Sequence, residues 1–194
     1  HMNVESKLEP NIAWLQERLK LTDAKVSKII WKAPNLLYYS ISDKMEPNLD
    51  WLQKELKLSS SQTRKIAMRL PTILACSIKD NMKPTLTWLK RRLLLKNNSE
   101  RATIIEKFPA LLGLSIENNL EPTLDFYSKA MGDEQFAIAM LKRDPIFFGY
   151  SLKKRLKPRL KEAKEVGWDI NEGTLAKIAR YTELRWNSTV TNNL

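Results

Sequence analysis

Apolar residues recur at helical spacing along most of the chain, in blocks punctuated by prolines. After Pro10, Ile12, Leu15 and Leu19 share one helical face, with Trp14 beside them. Leu49, Leu52 and Leu56 repeat that face beside Trp51. Leu86, Leu89 and Leu93 repeat it beside Trp88, and Leu124, Tyr127 and Met131 beside Phe126. A second apolar block follows each first one: Val26, Ile29, Ile30 and Ala33; a stretch from about Ser60 to Leu70; Ile104, Ile105 and Phe108; Phe136, Met140 and Leu141. Each pair of blocks predicts two helices. Pro34, Pro71, Pro109 and Pro145 end the second helices, because the residue before a proline is pushed out of the α region. The apolar residues that follow, Leu36 and Leu37 in the first copy, predict a short 3₁₀ turn.

The spacing after these prolines does not slip. A serine falls six residues on (Ser40, Ser77, Ser115, Ser151) and another proline thirteen residues on (Pro47, Pro84, Pro122, Pro158). A strict internal period marks a repeat protein. The serines are expected as N-caps of the next helix. Each second proline would then lie about two turns inside that helix, where it either kinks one helix or separates two. The expected fold class is all-α, a superhelical solenoid of four to five α-α-3₁₀ repeats of 36–38 residues. Repeats fall near 8–45, 46–82, 83–120 and 121–156, in a single array over 3–186. Residues 157–186 read as a degenerate C-terminal cap, since Gly167, Trp168 and Asp169 replace the Leu-rich helix end. His1-Met2 reads as a cloning scar, and 187–194 as a polar, frayed tail. The chain is expected to begin inside a longer protein, so the lack of a targeting peptide says nothing.

Composition narrows the chemistry. Five glycines argue against a hairpin-rich β fold. One cysteine, Cys76, excludes an intrachain disulfide and a Cys-rich metal site. The only histidine is His1, which leaves no His-based metal site or catalytic triad. No Gly-rich phosphate loop or metal-ligand spacing is present, and no apolar run reaches the roughly 20 residues of a membrane span. The expectation is a monomeric non-enzyme with no cofactor, no metal and no membrane partner. The net charge of +11 favours a polyanionic partner, nucleic acid first. That charge comes in blocks. Residues 60–101 carry ten Lys/Arg against two acids, and 141–165 nine against three, whereas 102–140 carry two against six.

The segments MKPTLTWL and MRLPTILACS hold the two prolines, the basic residue two before a proline, and the serine in one register. In this pattern the chain resembles the mTERF (mitochondrial transcription termination factor) family over residues 8–158, with the degenerate fifth copy beyond. The resemblance implies repeats of two α-helices and a 3₁₀ helix, stacked into a curved left-handed superhelix with a basic concave groove. It implies binding of nucleic acid, duplex DNA above all, with RNA as the alternative. It also implies a role in mitochondrial or chloroplast transcription termination or regulation, RNA processing or ribosome assembly.

Three sets of residues are candidates for binding. The position two before each repeat proline is basic in all four copies: Lys32, Arg69, Lys107 and Arg143. Helical periodicity puts it at the edge of the buried stripe, where a long side chain can keep its head in solvent. Stacked repeats would line up such heads for a phosphate backbone; the pull of the helix dipole on cations in a last turn explains them equally well. The second set flanks the repeat junctions: Lys79 and Lys83, then Lys153, Lys154, Arg155, Lys157, Arg159 and Lys161. These serve phosphates or form a solvated face. The third, Lys90-Arg91-Arg92, cannot point all three side chains into one groove. Trp14, Trp51 and Trp88 are expected between helices, Trp31 on the outer side as a stacking or partner contact, and Cys76 in the core. The acidic stretch 102–140 favours a rival reading, a protein-interaction scaffold.

Overall fold

The computed structural model describes residues 5–191, so the cloning-scar reading of His1-Met2 lies outside the described residues. Every regular element among the described residues is helical. The chain divides into two compact units between Leu114 and Ser115. Unit one holds α1 (Glu5–Leu19), α2 (Asp23–Lys32), α3 (Glu46–Leu56), α4 (Ser60–Arg69), α5 (Lys83–Arg92) and α6 (Asn98–Lys107). Unit two holds α7 (Glu121–Met131), α8 (Glu134–Arg143), α9 (Lys157–Glu165), α10 (Glu172–Arg180) and α11 (Glu183–Thr191). A five-residue 3₁₀ turn follows each second helix: Pro34–Tyr38, Pro71–Ala75, Pro109–Gly113 and Pro145–Gly149. The α-α-3₁₀ repeat predicted from the spacing is therefore present.

The chain meets the thirteen-residue proline with a widened helical turn just ahead of it. A proline inside a helix has no N–H to give, and its ring collides with the carbonyl four residues back. Before Pro47 the chain winds a wider π-type turn, Ile41–Met45, in which the Met45 N–H donates to the Ser40 carbonyl five residues back at 3.1 Å. The α-helix proper starts at Glu46, so Pro47 sits in its first turn, where no donor is needed. Met45 and Glu46 both keep right-handed helical backbone, so the path is continuous. The same wide turn precedes Pro84, Pro122 and Pro158. Ser40, Ser77, Ser115 and Ser151 start these turns as expected, each side chain accepting from the amide three residues on.

First helices end alike. Lys20, Lys57, Leu94, Gly132 and Gly167 all take left-handed backbone. The next residue closes a six-residue loop in four of the five, as when the Leu58 N–H reaches the Gln53 carbonyl at 2.9 Å.

In the first two repeats a buried asparagine right after the proline ties the first helix to the 3₁₀ turn of its own repeat. Asn11 Nδ2 donates to the Leu36 and Tyr39 carbonyls at 2.9 and 3.0 Å. Asn48 Nδ2 donates to the Leu74 and Cys76 carbonyls at 2.8 and 2.7 Å. Thr85 and Thr123 hold the same place in the next two repeats and are also buried. Thr123 is too short to reach, and its Oγ1 is buried without a partner.

The core is continuous within each unit. In unit one α1 packs on α4, and α3 and α4 pack on α6. Trp88 and Phe126 are buried, and Trp14 and Trp51 are half-buried, as expected for residues between helices. Trp14 also donates its indole N–H to Glu46 at 2.6 Å. In unit two the rings of Phe126, Tyr127 and Phe147 meet edge to face at 5.1 and 5.6 Å. Burial pushes the Tyr127 hydroxyl far above its ordinary pKa, and that hydroxyl has no hydrogen-bond partner.

The C-terminal cap is built by α10 and α11, whose Leu175, Ile178, Ala179 and Trp186 are buried. The expected frayed tail is corrected for residues 187–191, which continue α11. Trp186 anchors that helix, with its indole on Glu162 at 2.6 Å and its ring on Trp168 at 5.6 Å. Residues 192–194 lie outside the described residues.

The repeat register makes Thr123→Asn a stabilising substitution. The amide should reach the carbonyls of the Pro145–Gly149 turn and raise stability by about 1 kcal/mol. Urea unfolding of the two chains checks this, and an unchanged or lower midpoint would remove the tie from the account.

Candidate nucleic-acid interface

The column two before the proline is exposed in all four repeats, but it has structural work. Lys32 Nζ donates to the Met68 carbonyl at 3.1 Å, and Arg69 Nη1 to the Glu106 carbonyl at 2.6 Å. Met68 and Glu106 stand at equivalent places, three before the next repeat's proline. Each cation thus satisfies a C-terminal carbonyl of the following second helix, a group with no partner inside its own helix. In unit two Arg143 pairs with Glu172. Lys107 is exposed at the end of α6.

Further polar ties reinforce unit one. Arg18 pairs with Glu46 and Asp50 at 2.5 and 2.6 Å, and Arg101 with Glu55 at 3.1 Å. Lys65 and Gln62 both reach Glu106, at 2.9 and 3.1 Å. The hydrogen bond from Lys65, then that from Gln62, holds the Glu106 carboxyl below its ordinary pKa. One acid of the 102–140 stretch is therefore matched by cations of the preceding repeat.

The second set splits. Lys153, Lys154, Lys157 and Lys161 are exposed, as are Lys79 and Lys83. Arg159 is enclosed and not available to phosphate, which corrects the sequence expectation for that residue, and Arg155 is engaged in part. Arg159 is 3% exposed. Its Nη1 donates to the Ile178 and Tyr181 carbonyls at 3.1 and 2.8 Å, and its Nη2 pairs with Glu183 at 2.7 Å. Its guanidinium also lies over the Trp186 ring at 5.1 Å. Arg159 holds the place of Asn11 and Asn48, and its longer side chain ties α9 to the C-terminal cap. Arg155 is half-buried, bonded to the Ala179 carbonyl at 3.0 Å and stacked over Tyr150 at 5.5 Å.

What remains forms two cationic faces of one design. On α5, Lys83, Thr87 and Lys90 are exposed, with Arg91 beside them. On α9, Lys157, Lys161 and Lys164 are exposed. Both triplets have the spacing i, i+4, i+7, which confines them to about 60° of the helix surface. The wide turns before them carry further exposed lysines, Lys79 ahead of α5 and Lys153 and Lys154 ahead of α9. Lys164 escaped the motif reading, and Lys90 and Arg91 were set aside as part of a divergent triplet. The same i, i+4, i+7 spacing in the sequence carries the signal. Lys129, Lys157 and Lys164 also converge on a groove between α7 and α9, with Asp125 on its rim and Phe126 and Leu160 among its apolar lining.

Two other readings meet the structure here. Cys76 is half-buried, and burial pushes its thiol above the ordinary range, consistent with a packing role. Trp31 is exposed, as expected for a contact residue. No group of three His, Cys, Asp or Glu able to hold a metal occurs among the described residues. No described helix is long and apolar enough to cross a membrane.

Two-helix repeats locked by one register of prolines and serine caps define a helical-repeat protein. The chain belongs to the mTERF family, whose model matches residues 1–186. Membership points to a nucleic-acid-binding repeat protein of organelle gene expression. No curated protein sequence matches the chain.

Arg159→Ala should lower unfolding stability by roughly 3 kcal/mol, since it strands buried carbonyls and a cap helix. The salt dependence of nucleic-acid binding by the folded fraction should not change. A stable variant with a shallower salt dependence would return Arg159 to the interface.

Proposed function

We propose that the chain binds double-stranded DNA through the cationic faces of α5 and α9, acting in mitochondrial or chloroplast transcription termination or regulation. The observation that supports this reading is the shared spacing of Lys83, Thr87, Lys90 and of Lys157, Lys161, Lys164, all exposed. Ammonium groups along one side of a helix match a phosphate backbone and carry no base code, so affinity comes from counterion release. Lys79, Lys153 and Lys154 extend the two faces. Lys32, Arg69, Lys107 and Arg143 contribute secondary contacts, because the first two already hold carbonyls of the next repeat. The organelle and the transcriptional role are proposed from the family resemblance and not from these residues.

A second reading, a protein-docking scaffold in RNA processing or ribosome assembly, is favoured by the acidic stretch 102–140, and RNA in place of duplex DNA is the other alternative. Salt titration against duplex DNA, single-stranded RNA and hairpin RNA in parallel separates the two. If about five phosphates are neutralised, log K for duplex DNA should fall against log salt with a slope near −4.5. Replacing Lys153, Lys157 and Lys161 by Ala should flatten that slope by about 2.7. A slope near zero, or tighter binding to either RNA, would reject the duplex assignment.

A further inference from the structure

The groove between α7 and α9 has a volume of about 330 Å³, at the small end of the range for small-molecule sites. Phe126, Ala130 and Leu160 supply apolar lining, and Lys129, Lys157 and Lys164 line it with Asp125. The three lysines are exposed, so their ammonium groups are open to a ligand.

The equivalent groove between α1 and α3 carries the opposite balance. It is lined by Trp14, Glu17, Arg18 and Glu46, and it neutralises its own charge. Trp14 donates its indole N–H to Glu46, and Arg18 pairs with Glu46 and Asp50. In the repeat register those four places become Phe126, Lys129, Ala130 and Lys157. Both glutamates are inverted to lysines, and the arginine between them and the next helix is cut back to alanine. The α3–α5 pair keeps both signs at the same places, with Trp51, Lys54, Glu55 and Lys83. Among the described residues no acid pairs with Lys129, Lys157 or Lys164, whereas neighbouring Lys161 pairs with Glu165 at 3.6 Å.

A cleft lined by one sign of charge beside apolar walls concentrates its potential and draws in the opposite charge. A bare inorganic anion would leave the apolar lining unused. Asp125 repels a second anionic group and accepts from a hydroxyl or an amino group. The lining therefore suits one phosphate at the end of a largely apolar body that carries hydrogen-bond donors. A nucleoside monophosphate has that form: a phosphate of about two negative charges, sugar hydroxyls and a flat base. We propose that the α7–α9 groove binds a free nucleoside monophosphate. Its phosphate rests on Lys129, Lys157 and Lys164, its sugar or base donates to Asp125, and its base lies against Phe126 and Leu160. Lys157 and Lys164 also belong to the proposed duplex face, so nucleotide and duplex would compete on α9 and not on α5.

The test is calorimetric titration of the whole chain, without nucleic acid, by AMP, GMP, CMP and UMP. The matching nucleosides and inorganic phosphate are titrated at the same ionic strength. One-to-one saturation by at least one nucleotide is expected. Its nucleoside and inorganic phosphate should each bind at least about tenfold more weakly, the loss that follows from giving up charge-assisted hydrogen bonds or apolar contact. Ala130→Arg with Lys157→Glu copies the α1–α3 arrangement and should abolish binding in a chain that stays helical by circular dichroism. Lys129→Ala, an exposed substitution on α7 outside the proposed duplex face, should weaken binding by at least about tenfold. The proposal falls if no nucleotide saturates the chain, if inorganic phosphate binds as tightly as the nucleotide, or if Lys129→Ala binds like the native chain. Because no nucleic acid is present, failure here leaves the duplex reading standing, and failure of duplex binding leaves this site standing.

Discussion

A proline cannot donate a backbone hydrogen bond, and its ring cannot lie over a carbonyl four residues back. Much of each repeat's architecture meets that one constraint. At Pro47, Pro84, Pro122 and Pro158 the preceding turn widens, a serine caps its start, and the α-helix begins at the residue before the proline. The residue after the proline is then fixed in rotation and depth. It faces the 3₁₀ turn, where Asn11 and Asn48 find two carbonyls each. A proline that looks disruptive in the sequence sets the register between a first helix and the turn closing its repeat.

Neighbouring repeats are joined by apolar burial and by polar ties that cross from one copy to the next. The ties fall on groups a helix end leaves unsatisfied, such as the Met68 and Glu106 carbonyls. This accounts for Lys32 and Arg69 more directly than the helix dipole does. It also means that a strict sequence signal need not mark a ligand site: its first duty here is to hold repeats together. The cations on α5 and α9 have no such regularity through the chain. The matching places in α3 and α7 are acidic, Glu46 and Asp50 in one and Glu121 and Asp125 in the other. Charge on this face varies from repeat to repeat: Glu46 and Asp50 pair with Arg18 of the preceding repeat, whereas the same places on α9 are lysines.

The helices, their proline stops, the serine caps and the repeat register were legible in the sequence, because each rests on local backbone chemistry. The wide turn was not, since spacing alone cannot show how a helix absorbs a proline. The buried amides were missed because an asparagine after a proline looks like turn chemistry until its partners, 25 to 28 residues away, are in place. Arg159 was misread for a related reason. It sits in the densest basic run of the chain, and only the tertiary fold shows that it occupies the Asn11 and Asn48 place and is enclosed by the cap. The cationic faces were half legible: Lys157 and Lys161 were found as part of a run, and Lys164 completes a helical stripe that a run-based reading cuts short.

Under the proposed function two sets of cations carry different duties, one tying repeats and one meeting phosphate. Lysine acetylation by a small reagent, with and without saturating duplex DNA and read by mass spectrometry, separates them directly. The account predicts protection at Lys83, Lys90, Lys157, Lys161 and Lys164, with the rate at Lys32 close to unchanged. Protection concentrated at Lys32 and Lys107, with the α5 and α9 lysines modified as fast as in the free protein, would contradict it.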